Sequence, residues 1–219
     1  MQLISAYNTM NLSDLRRDFG QQKDSPVWSD NPFSLFGEWL QTAINKPVQE
    51  ANAMILSTAG TDNKPSSRVV LLKEYSEKEG FVFYTDYSSH KGRDLEANSF
   101  ASVIFYWNVL ERQIRIEGKV KKVDRSMSTA YFNSRPLESR LSAYVSRQSQ
   151  RIDHLDELRQ QRQELLDSGN EITCPERWGG YALMPEKFEF WQGGTHRLHH
   201  RMEYIYTGGS DWKRQALAP

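Results

Sequence analysis

Residues 112–123 read RQIRIEGKVKKV, and this stretch carries the clearest structural pattern in the chain. Small or apolar positions alternate with polar ones: Ile114, Ile116, Gly118 and Val120 alternate with Gln113, Arg115, Glu117 and Lys119. Successive side chains of a β-strand point to opposite faces. The alternation therefore predicts a strand with one buried face and one face in water.

The runs on either side of this strand have a similar character. Residues 53–86 contain AMILST, SSRVVLLKEY and FVFYT, separated by turn residues, and this spacing predicts an antiparallel meander. FASVIFYW precedes the quoted strand, and WGGYALMP, KFEFWQ and HHRMEYIYT follow towards the end of the chain. Strands, then helices, then more strands predict a mainly β fold: a barrel-like sheet with flanking helices.

A helix is predicted before the first strand, in NPFSLFGEWLQTAINK. Asn31 is a suitable N-cap, and Pro32 stands at the first helical position, where its missing N–H does no harm. No repeat or linker divides the chain, so a single domain is expected. Its expected parts are an N-terminal segment, a helix and a barrel with helical insertions, at residues 1–30, 31–47 and 53–219 of 1–219.

Two further helices are predicted in the middle of the chain. One is capped by Asp124, contains Tyr131 and must stop by Arg135, because the residue before Pro136 is pushed out of the helical region. The other is HLDELRQQRQELL, which is polar enough to be a surface helix.

The overall composition narrows the class of protein. The 219 residues carry 28 basic and 28 acidic side chains, a balance that argues against a general nucleic-acid binder. Cys174 is the single cysteine, which excludes an internal disulfide and fits a reducing compartment. No signal peptide is seen, and the longest apolar runs fall far short of the ~20 residues of a membrane-spanning helix. A cytoplasmic protein that does not bind membranes is expected.

Familiar nucleotide and redox motifs are missing: the sequence has no GxGxxG, no GxxxxGK[ST] and no CxxC pair. His196, His199 and His200 cluster, but their spacing fits no metal motif, and no carboxylate follows before Glu203. No metal is expected.

Basic residues bracket an apolar run in one predicted strand. Arg68 and Lys73 flank VVLL, and charged residues often simply end a strand. Positions five apart would point to opposite faces of a regular strand. The two residues therefore serve different ligand groups, or a bulge lies between them.

A second set of polar residues lies in TAYFNSRPLES. Tyr131 and Arg135 are four apart and are expected to share a helix face, with Ser139 just beyond Pro136. A phenol, a guanidinium and a hydroxyl that converge would suit a phosphate, because Arg offers a planar fork of donors. Taken alone, the pattern fits an ordinary surface helix end better.

A third set lies in FWQGGTHRLHHR, where two glycines allow a tight turn beside an aromatic strand. Arg197, His199 and Arg201 alternate by twos, so on a strand they would point the same way. Cationic groups on one face repel each other unless an anionic ligand or an acidic partner lies opposite. This is the strongest physical indication of a site.

Together these segments resemble the pyridoxamine 5′-phosphate oxidase family of flavoenzymes. The matching stretches run from about residue 12 to the end: RVVLLK, FYT with SHK, LERQIRIEGK, YFNSRPLES, VSRQS, WGGY, FEFWQGGTHRLHHR and the final LAP. The resemblance implies an FMN-binding split β-barrel that works as a homodimer with FMN between its subunits. It also implies that residues 1–30 include a lid over the substrate.

The resemblance also implies roles for individual residues. FMN would be held by Arg68, Val69, Val70, Leu71, Leu72, Lys73, Tyr84, Thr85, His90, Lys91, Gln113, Gln148, Ser149, Trp191 and Arg201. Substrate would be held by Arg16, Lys73, Tyr131, Arg135, Ser139, Arg197 and His199. Arg197 and His199 would be the catalytic pair, over the substrate ring on the face away from the flavin, and a neutral His199 could accept a proton.

The implied reaction oxidises pyridoxamine or pyridoxine 5′-phosphate to pyridoxal 5′-phosphate, with O2 as acceptor and H2O2 as product. Two alternatives stay open: a split-barrel flavin reductase that uses nicotinamide, and a non-catalytic carrier of pyridoxal phosphate. The chain departs from the family pattern at three positions, and we expect these to tune the reaction without changing it: Phe19 replaces a tyrosine, and His90 and Ala216 replace arginines.

Overall fold

Nine antiparallel strands form one sheet in the computed structural model, which describes residues 18–20 and 25–219. The strands are β1 (Ala53–Ala59), β2 (Pro65–Leu71), β3 (Glu74–Ser76), β4 (Gly80–Asp86), β5 (Phe100–Trp107), β6 (Arg112–Lys122), β7 (Trp178–Gln192), β8 (His200–Gly208) and β9 (Asp211–Ala216). The helices are α1 (Pro32–Ile44), α2 (His90–Ala97), α3 (Arg125–Ser134), α4 (Leu137–Val145) and α5 (Leu155–Asp167). The expected mainly β fold with flanking helices is confirmed.

Strand β7 is where the sheet divides into two arms. The main order is β2-β1-β5-β6-β7-β4-β3, and β8 and β9 continue from β7 on a separate path. The first part of β7, from Trp178 to Leu183, pairs with β4, whereas Lys187 to Gln192 pairs with β8. One fifteen-residue strand therefore connects both arms.

The quoted strand is observed as β6, with Ile114, Ile116, Gly118 and Val120 buried as the alternation predicts. Its ladder with β7 shifts register between Glu117 and Gly118. A Cβ on Gly118 would lie 2.0 Å from the Met184 carbonyl oxygen, so only glycine fits this close approach. The bulge also accommodates Pro185, so WGGYALMP and KFEFWQ form one strand rather than two.

The predicted meander over residues 53–86 is only partly correct. β1 and β2 form a hairpin, but β4 pairs with β3 and β7 instead of β2. The chain changes partners after Leu71: the Leu72 amide donates to the Asn52 carbonyl, and the Lys73 amide donates to the Val82 carbonyl. This break, rather than a bulge, separates Arg68 from Lys73.

Helix α1 covers the core side of the sheet and begins as predicted. Asn31 Oδ1 accepts hydrogen bonds from the amides of Phe33, at 2.8 Å, and Ser34, at 3.0 Å. The helix ends at Ile44 rather than residue 47, because Pro47 disfavours helical geometry at the residue before it. Phe33, Leu35, Phe36, Trp39, Leu40 and Ala43 are buried against the sheet.

Helices α3, α4 and α5 form a smaller layer outside the sheet. Phe132 and Leu141 pack there with Ile172 and Trp178 in a second apolar cluster. Helix α5 has no buried residue, which confirms a surface helix. Asp124 stands at the N-cap position of α3 as predicted, but its side chain makes no capping hydrogen bond. Among the described residues, no helix is long and apolar enough to cross a membrane.

Candidate functional site

A cleft of about 1200 Å³ lies between the sheet and the α3–α4 layer. Its walls come from β2, β4, the start of α2, the α3–α4 connection and the segment after α4. The cleft gathers fourteen of the residues singled out from sequence: Arg68, Val69, Val70, Leu71, Lys73, Tyr84, Thr85, His90, Lys91, Tyr131, Arg135, Ser139, Gln148 and Ser149. Leu72 belongs to the hydrophobic core instead and is 5% exposed.

Lys91 supplies a buried cation at one end of the cleft. Its Nζ lies 2.7 Å from Gln148 Oε1, 3.1 Å from Thr85 Oγ1 and 3.3 Å from Ser89 Oγ. These partners are all neutral. Burial, and secondarily the charge of Arg68, lowers the pKa of Lys91 to about 8. An anionic ligand here would stabilise the ammonium and would itself be well bound.

Arg68 is oriented by groups on β1 and α2. Its Nη1 donates to Thr58 Oγ1 at 2.7 Å, and its Nη2 lies 3.8 Å from Asp94 Oδ2. Asp94 also accepts from Thr58 at 2.7 Å and lies 3.4 Å from His90 Nε2. Burial lowers the pKa of Arg68, although Asp94 opposes this shift. The guanidinium therefore has a fixed position at the cleft wall.

Aromatic rings form the opposite wall. Tyr84 and Tyr131 stack with centroids 4.0 Å apart, and Trp178 lies parallel to Tyr84 at 5.6 Å. Lys73 Nζ is 6.0 Å from the Tyr131 ring, and the Arg135 guanidinium is 5.0 Å from the Trp178 ring. The cleft thus combines flat apolar faces with cations, an arrangement suited to an aromatic phosphate ester.

Two polar groups in this wall are buried without a hydrogen-bond partner among the described residues: the Tyr84 hydroxyl and Arg135 Nη1. Burial raises the pKa of Tyr84 to about 12, so its hydroxyl stays protonated, and burial lowers the pKa of Arg135. Buried donors without partners are costly, so these two atoms point to a bound ligand that would accept their hydrogen bonds.

Arg135 reaches the cleft by a different route from the one predicted. It lies just beyond the end of α3 with extended backbone angles, φ −75° and ψ 150°, and not on a helix face with Tyr131. The reason is Pro136, which forces the preceding residue out of the helical region. Tyr131, Arg135 and Ser139 nevertheless all line the cleft, so the predicted convergence is observed.

The remaining candidates lie at the other end of β7. Trp178 borders the cleft, and Trp191 follows it by thirteen positions, or about 43 Å along the strand. Gln113 and Arg201 pair with Trp191 on the neighbouring strands. None of Gln113, Trp191, Arg197, His199 and Arg201 borders the cleft of the same chain. Arg16 lies outside the described residues.

This second group is built around Trp191 and His199. Their ring centroids are 4.7 Å apart, and Phe19 meets each ring edge-on at 5.5 Å. The Gly194 amide donates to His199 Nδ1 at 3.1 Å. Burial, followed by the nearby charge of Arg197, lowers the pKa of His199. His199 is therefore neutral at pH 7, with its proton on Nε2, because Nδ1 is the acceptor.

The predicted strand through Arg197, His199 and Arg201 is wrong. Thr195–Arg197 form a 3-10 turn, and Arg197 has φ +63°. A Cβ on Gly194 would meet the Leu198 carbonyl oxygen at 2.1 Å, so the chain folds tightly at this glycine. Strand β8 starts only at His200.

Arg201 has an acidic partner, which is one of the two possibilities that charge repulsion left open. Its Nε and Nη2 lie 2.9 and 2.8 Å from Glu189 Oε1, and its Nη1 donates to the Ala218 carbonyl at 2.8 Å. Arg115 Nη2 contacts the other oxygen of Glu189 at 2.7 Å. In the sequence, Glu189 is only the polar residue of the stretch FEFW, and nothing there indicates that it pairs with Arg201. Among the described residues, no cluster of His, Cys, Asp or Glu could hold a metal.

Comparison with known proteins places the chain in a class. The family model described as "Pyridoxamine 5'-phosphate oxidase" matches residues 40–167, and one described as "Pyridoxine 5'-phosphate oxidase C-terminal dimerisation region" matches 178–219. Pyridoxine/pyridoxamine 5'-phosphate oxidases of Pseudomonas fluorescens and Bordetella petrii are 46% and 45% identical, each covering 96% of this chain and 100% of the relative. The chain belongs to the pyridoxamine 5′-phosphate oxidase family.

Solved structures support the same fold. PhzG from Burkholderia lata 383, in complex with tetrahydrophenazine-1-carboxylic acid, matches with a TM-score of 0.82 and 34% identity over 87% of this chain and 94% of its own. A pyridoxamine 5'-phosphate oxidase-related, FMN binding protein from Nostoc punctiforme matches with a TM-score of 0.69 and 15% identity, covering 86% and 97%. The expected split barrel is confirmed.

Proposed function

We propose that this protein is an FMN-dependent oxidase that converts pyridoxamine or pyridoxine 5′-phosphate to pyridoxal 5′-phosphate, with O2 as acceptor and H2O2 as product. The observation that carries the proposal is the cleft, where four of the cationic side chains predicted from the sequence meet a stacked aromatic wall: Arg68, Lys73, Lys91 and Arg135. The names of the close relatives support the same substrates.

The cleft fits FMN together with a second ligand. Its volume of about 1200 Å³ exceeds the roughly 300–1,000 Å³ of a typical single-ligand pocket. We assign the cofactor phosphate to the end that holds Arg68 and Lys91, where a buried ammonium has only neutral partners. When bound, FMN would supply the acceptor for the hydride, with its two electrons, that the substrate carbon loses.

We assign the substrate phosphate to Lys73, Tyr131, Arg135 and Ser139. Arg135 Nη1 is a buried donor without a partner among the described residues, and a phosphate oxygen would satisfy it. Holding one end of the substrate fixes the position of the reacting carbon. The entropic cost of aligning it is then met on binding and does not add to the activation free energy.

A homodimer explains why the candidate residues form two groups. Trp191, Arg197, His199 and Arg201 fall within the C-terminal dimerisation region, at the far end of β7 from the cleft. Arg197 and Leu198 are exposed in the single chain, and Leu198 is 69% exposed. We propose that the partner subunit brings this group to the cleft, so that FMN lies between the subunits.

In this arrangement Arg197 and His199 act on the substrate as donors. The neutral His199 holds its proton on Nε2, so it can donate a hydrogen bond to the substrate ring but cannot accept a proton there. Arg197 adds positive charge that stabilises negative charge developing on the ring. This replaces the expectation that His199 serves as a base.

The deciding experiment is anaerobic absorbance spectroscopy of the FMN-loaded protein before and after addition of pyridoxine 5′-phosphate. We expect the visible flavin band to bleach and to return when air is admitted. Bleaching by a reduced nicotinamide alone would indicate a flavin reductase. Binding of pyridoxal phosphate without any flavin uptake would indicate a carrier. Bleaching only with a reduced phenazine carboxylate would point to a PhzG-like substrate.

A further inference from the structure

Trp178 was not among the residues singled out from sequence, yet it borders the cleft at the start of β7. The side chain is 6% exposed and also belongs to the small apolar cluster of the α3–α4 layer. Its backbone is fixed on both sides: it pairs with Asp86 on β4, and its carbonyl accepts a hydrogen bond from Arg125 Nη1 at 2.8 Å.

The indole ring lies against three aromatic rings of this wall and against the Arg135 guanidinium. It lies parallel to Tyr84 at 5.6 Å and to Tyr131 at 6.2 Å, with interplanar angles of 11° and 8°. The Arg135 guanidinium carbon is 5.0 Å from the ring centroid, and Phe132 meets the ring edge-on at 5.2 Å.

Arg135 has little else to hold it in place. No carboxylate among the described residues forms an ion pair with it, and its Nη1 has no hydrogen-bond partner there. Because Arg135 follows the last turn of α3 in extended geometry, the helix does not fix the side chain. The other ring near the guanidinium is Phe132, at 5.9 Å. The face of Trp178 is therefore the main contact that orients this cation.

We propose that Trp178 is a positioning residue for the phosphate ester: its ring holds the Arg135 guanidinium, and through the Tyr84–Tyr131 stack it holds the Tyr131 phenol. The inference rests on the proposed function, since it takes Arg135 and Tyr131 to bind the substrate phosphate. A tryptophan suits this role because its large ring attracts a cation more strongly than phenylalanine does.

The test is a double-mutant cycle between Trp178→Leu and Arg135→Ala in the FMN-loaded protein. We expect Trp178→Leu to weaken binding of pyridoxine 5′-phosphate roughly fivefold to tenfold, as loss of a buried cation–π contact predicts. In the Arg135→Ala background the same change should have a clearly smaller effect, because only the support of Tyr131 is then left to lose. Affinity for unphosphorylated pyridoxine, measured in parallel, should stay unchanged.

Trp178→Phe provides a second cycle in case the leucine variant folds poorly, with an expected loss of about twofold to threefold. Trp212→Leu is the control, because Trp212 packs against the main core but borders no part of the cleft. Its loss should leave ester affinity unchanged.

The possible outcomes separate the two proposals. If Arg135→Ala leaves ester affinity unchanged, the phosphate site assigned in the proposed function is wrong. If Arg135→Ala weakens binding but the Trp178 variants do not, or if the two effects simply add, the positioning role is refuted while the proposed function stands. Equal losses for pyridoxine and its phosphate ester would also refute it, because they would indicate a general packing defect.

Discussion

Lys91 Nζ lies 2.7 Å from Gln148 Oε1, and this contact ties the β4–α2 junction to the segment that follows α4. Thr85 completes the link by donating to the same oxygen at 3.0 Å. The Gln148 amide carries no charge, so it does not neutralise the buried Lys91 ammonium at this end of the cleft. The cation thus stays available to a ligand phosphate.

The affinity for FMN should fall as the pH rises through about 8. The pKa of Lys91 is lowered to about 8 without ligand, so above this pH the free protein must take up a proton to bind a phosphate as an ion pair. We expect the Kd to rise by up to about tenfold per pH unit above pH 8 and to be flat below it. Flavin fluorescence quenching from pH 6.5 to 9.5 measures this. Riboflavin, which has no phosphate, should show no such slope, and neither should the Lys91→Met variant.

Mixed dimers should recover activity from two inactive variants. In the proposed dimer, Arg135 of one subunit and Arg197 of the partner serve the same site. Random pairing of Arg135→Ala and Arg197→Ala chains makes half of the dimers hybrid, each with one intact site of two, so about a quarter of wild-type activity should return. Differently tagged chains, co-expressed and assayed as the unseparated mixture, allow the measurement, and hybrids purified through both tags should reach about half of wild-type activity. No recovery would show that each site is made by a single chain.

Arg197→Ala should reduce turnover far more than FMN affinity. Arg197 is exposed in the single chain and borders no part of the cleft where the cofactor phosphate is assigned. Loss of a donor that acts on developing charge costs roughly 100-fold or more in kcat, whereas the Kd for FMN should change less than about threefold. Arg159→Ala, which removes an exposed arginine of α5, is the control. Equal losses in the two quantities would mean that Arg197 is a cofactor ligand.

His199 should carry its proton on Nε2 throughout the neutral pH range. The Gly194 amide occupies Nδ1, and burial together with Arg197 lowers the pKa of the imidazole. Long-range proton–nitrogen NMR of 15N-histidine-labelled protein distinguishes the two ring nitrogens, with His199→Gln to assign the signal. A protonated Nδ1 at pH 7 would contradict the assigned role as a donor.

Glu189→Ala should destabilise the fold more than other carboxylate changes on the same face. Glu189 is 3% exposed and pairs with both Arg115 and Arg201, so its loss leaves Arg201 without a counter-charge and Arg115 with Glu117 alone. We expect a loss of about 3 kcal/mol in the free energy of unfolding, at the low end for a broken buried ion pair. Glu203→Ala is the control, since Glu203 accepts a hydrogen bond from Gln215 and forms no ion pair with any described residue. Chemical denaturation measures the free energy of unfolding of both variants. Similar losses would mean that the ion pairs of Glu189 with Arg115 and Arg201 contribute no stability.

Local signals in the sequence predicted much of this architecture. The alternation in β6 and the Asn31 cap of α1 depend on residues close in the chain, so they could be recognised without knowing the fold. The polar set around Arg135 was also recognised, because residues bordering one proline stay near each other whatever the backbone does. The resemblance then supplied the residues of the cleft that no local pattern marks, such as Gln148.

Long-range pairing was not predictable in the same way. The sequence does not reveal that Lys73 leaves one strand to bond Val82, because that choice depends on which strands lie side by side. Arg197 and His199 were placed on a strand because alternation was read across a 3-10 turn. Glu189 and Trp178 were missed because their partners, Arg201 and Arg135, come from elements distant in sequence.

The length of β7 has a consequence for communication between the two halves of the proposed dimer. Trp178 at one end of this strand would serve the cleft of its own subunit, while Trp191 at the other end would serve the partner's. Each copy of β7 then contributes a residue to both binding sites of the dimer. Binding of FMN at the first site would then change the affinity of the second site. FMN titrations should therefore be fitted with two successive dissociation constants rather than one averaged value.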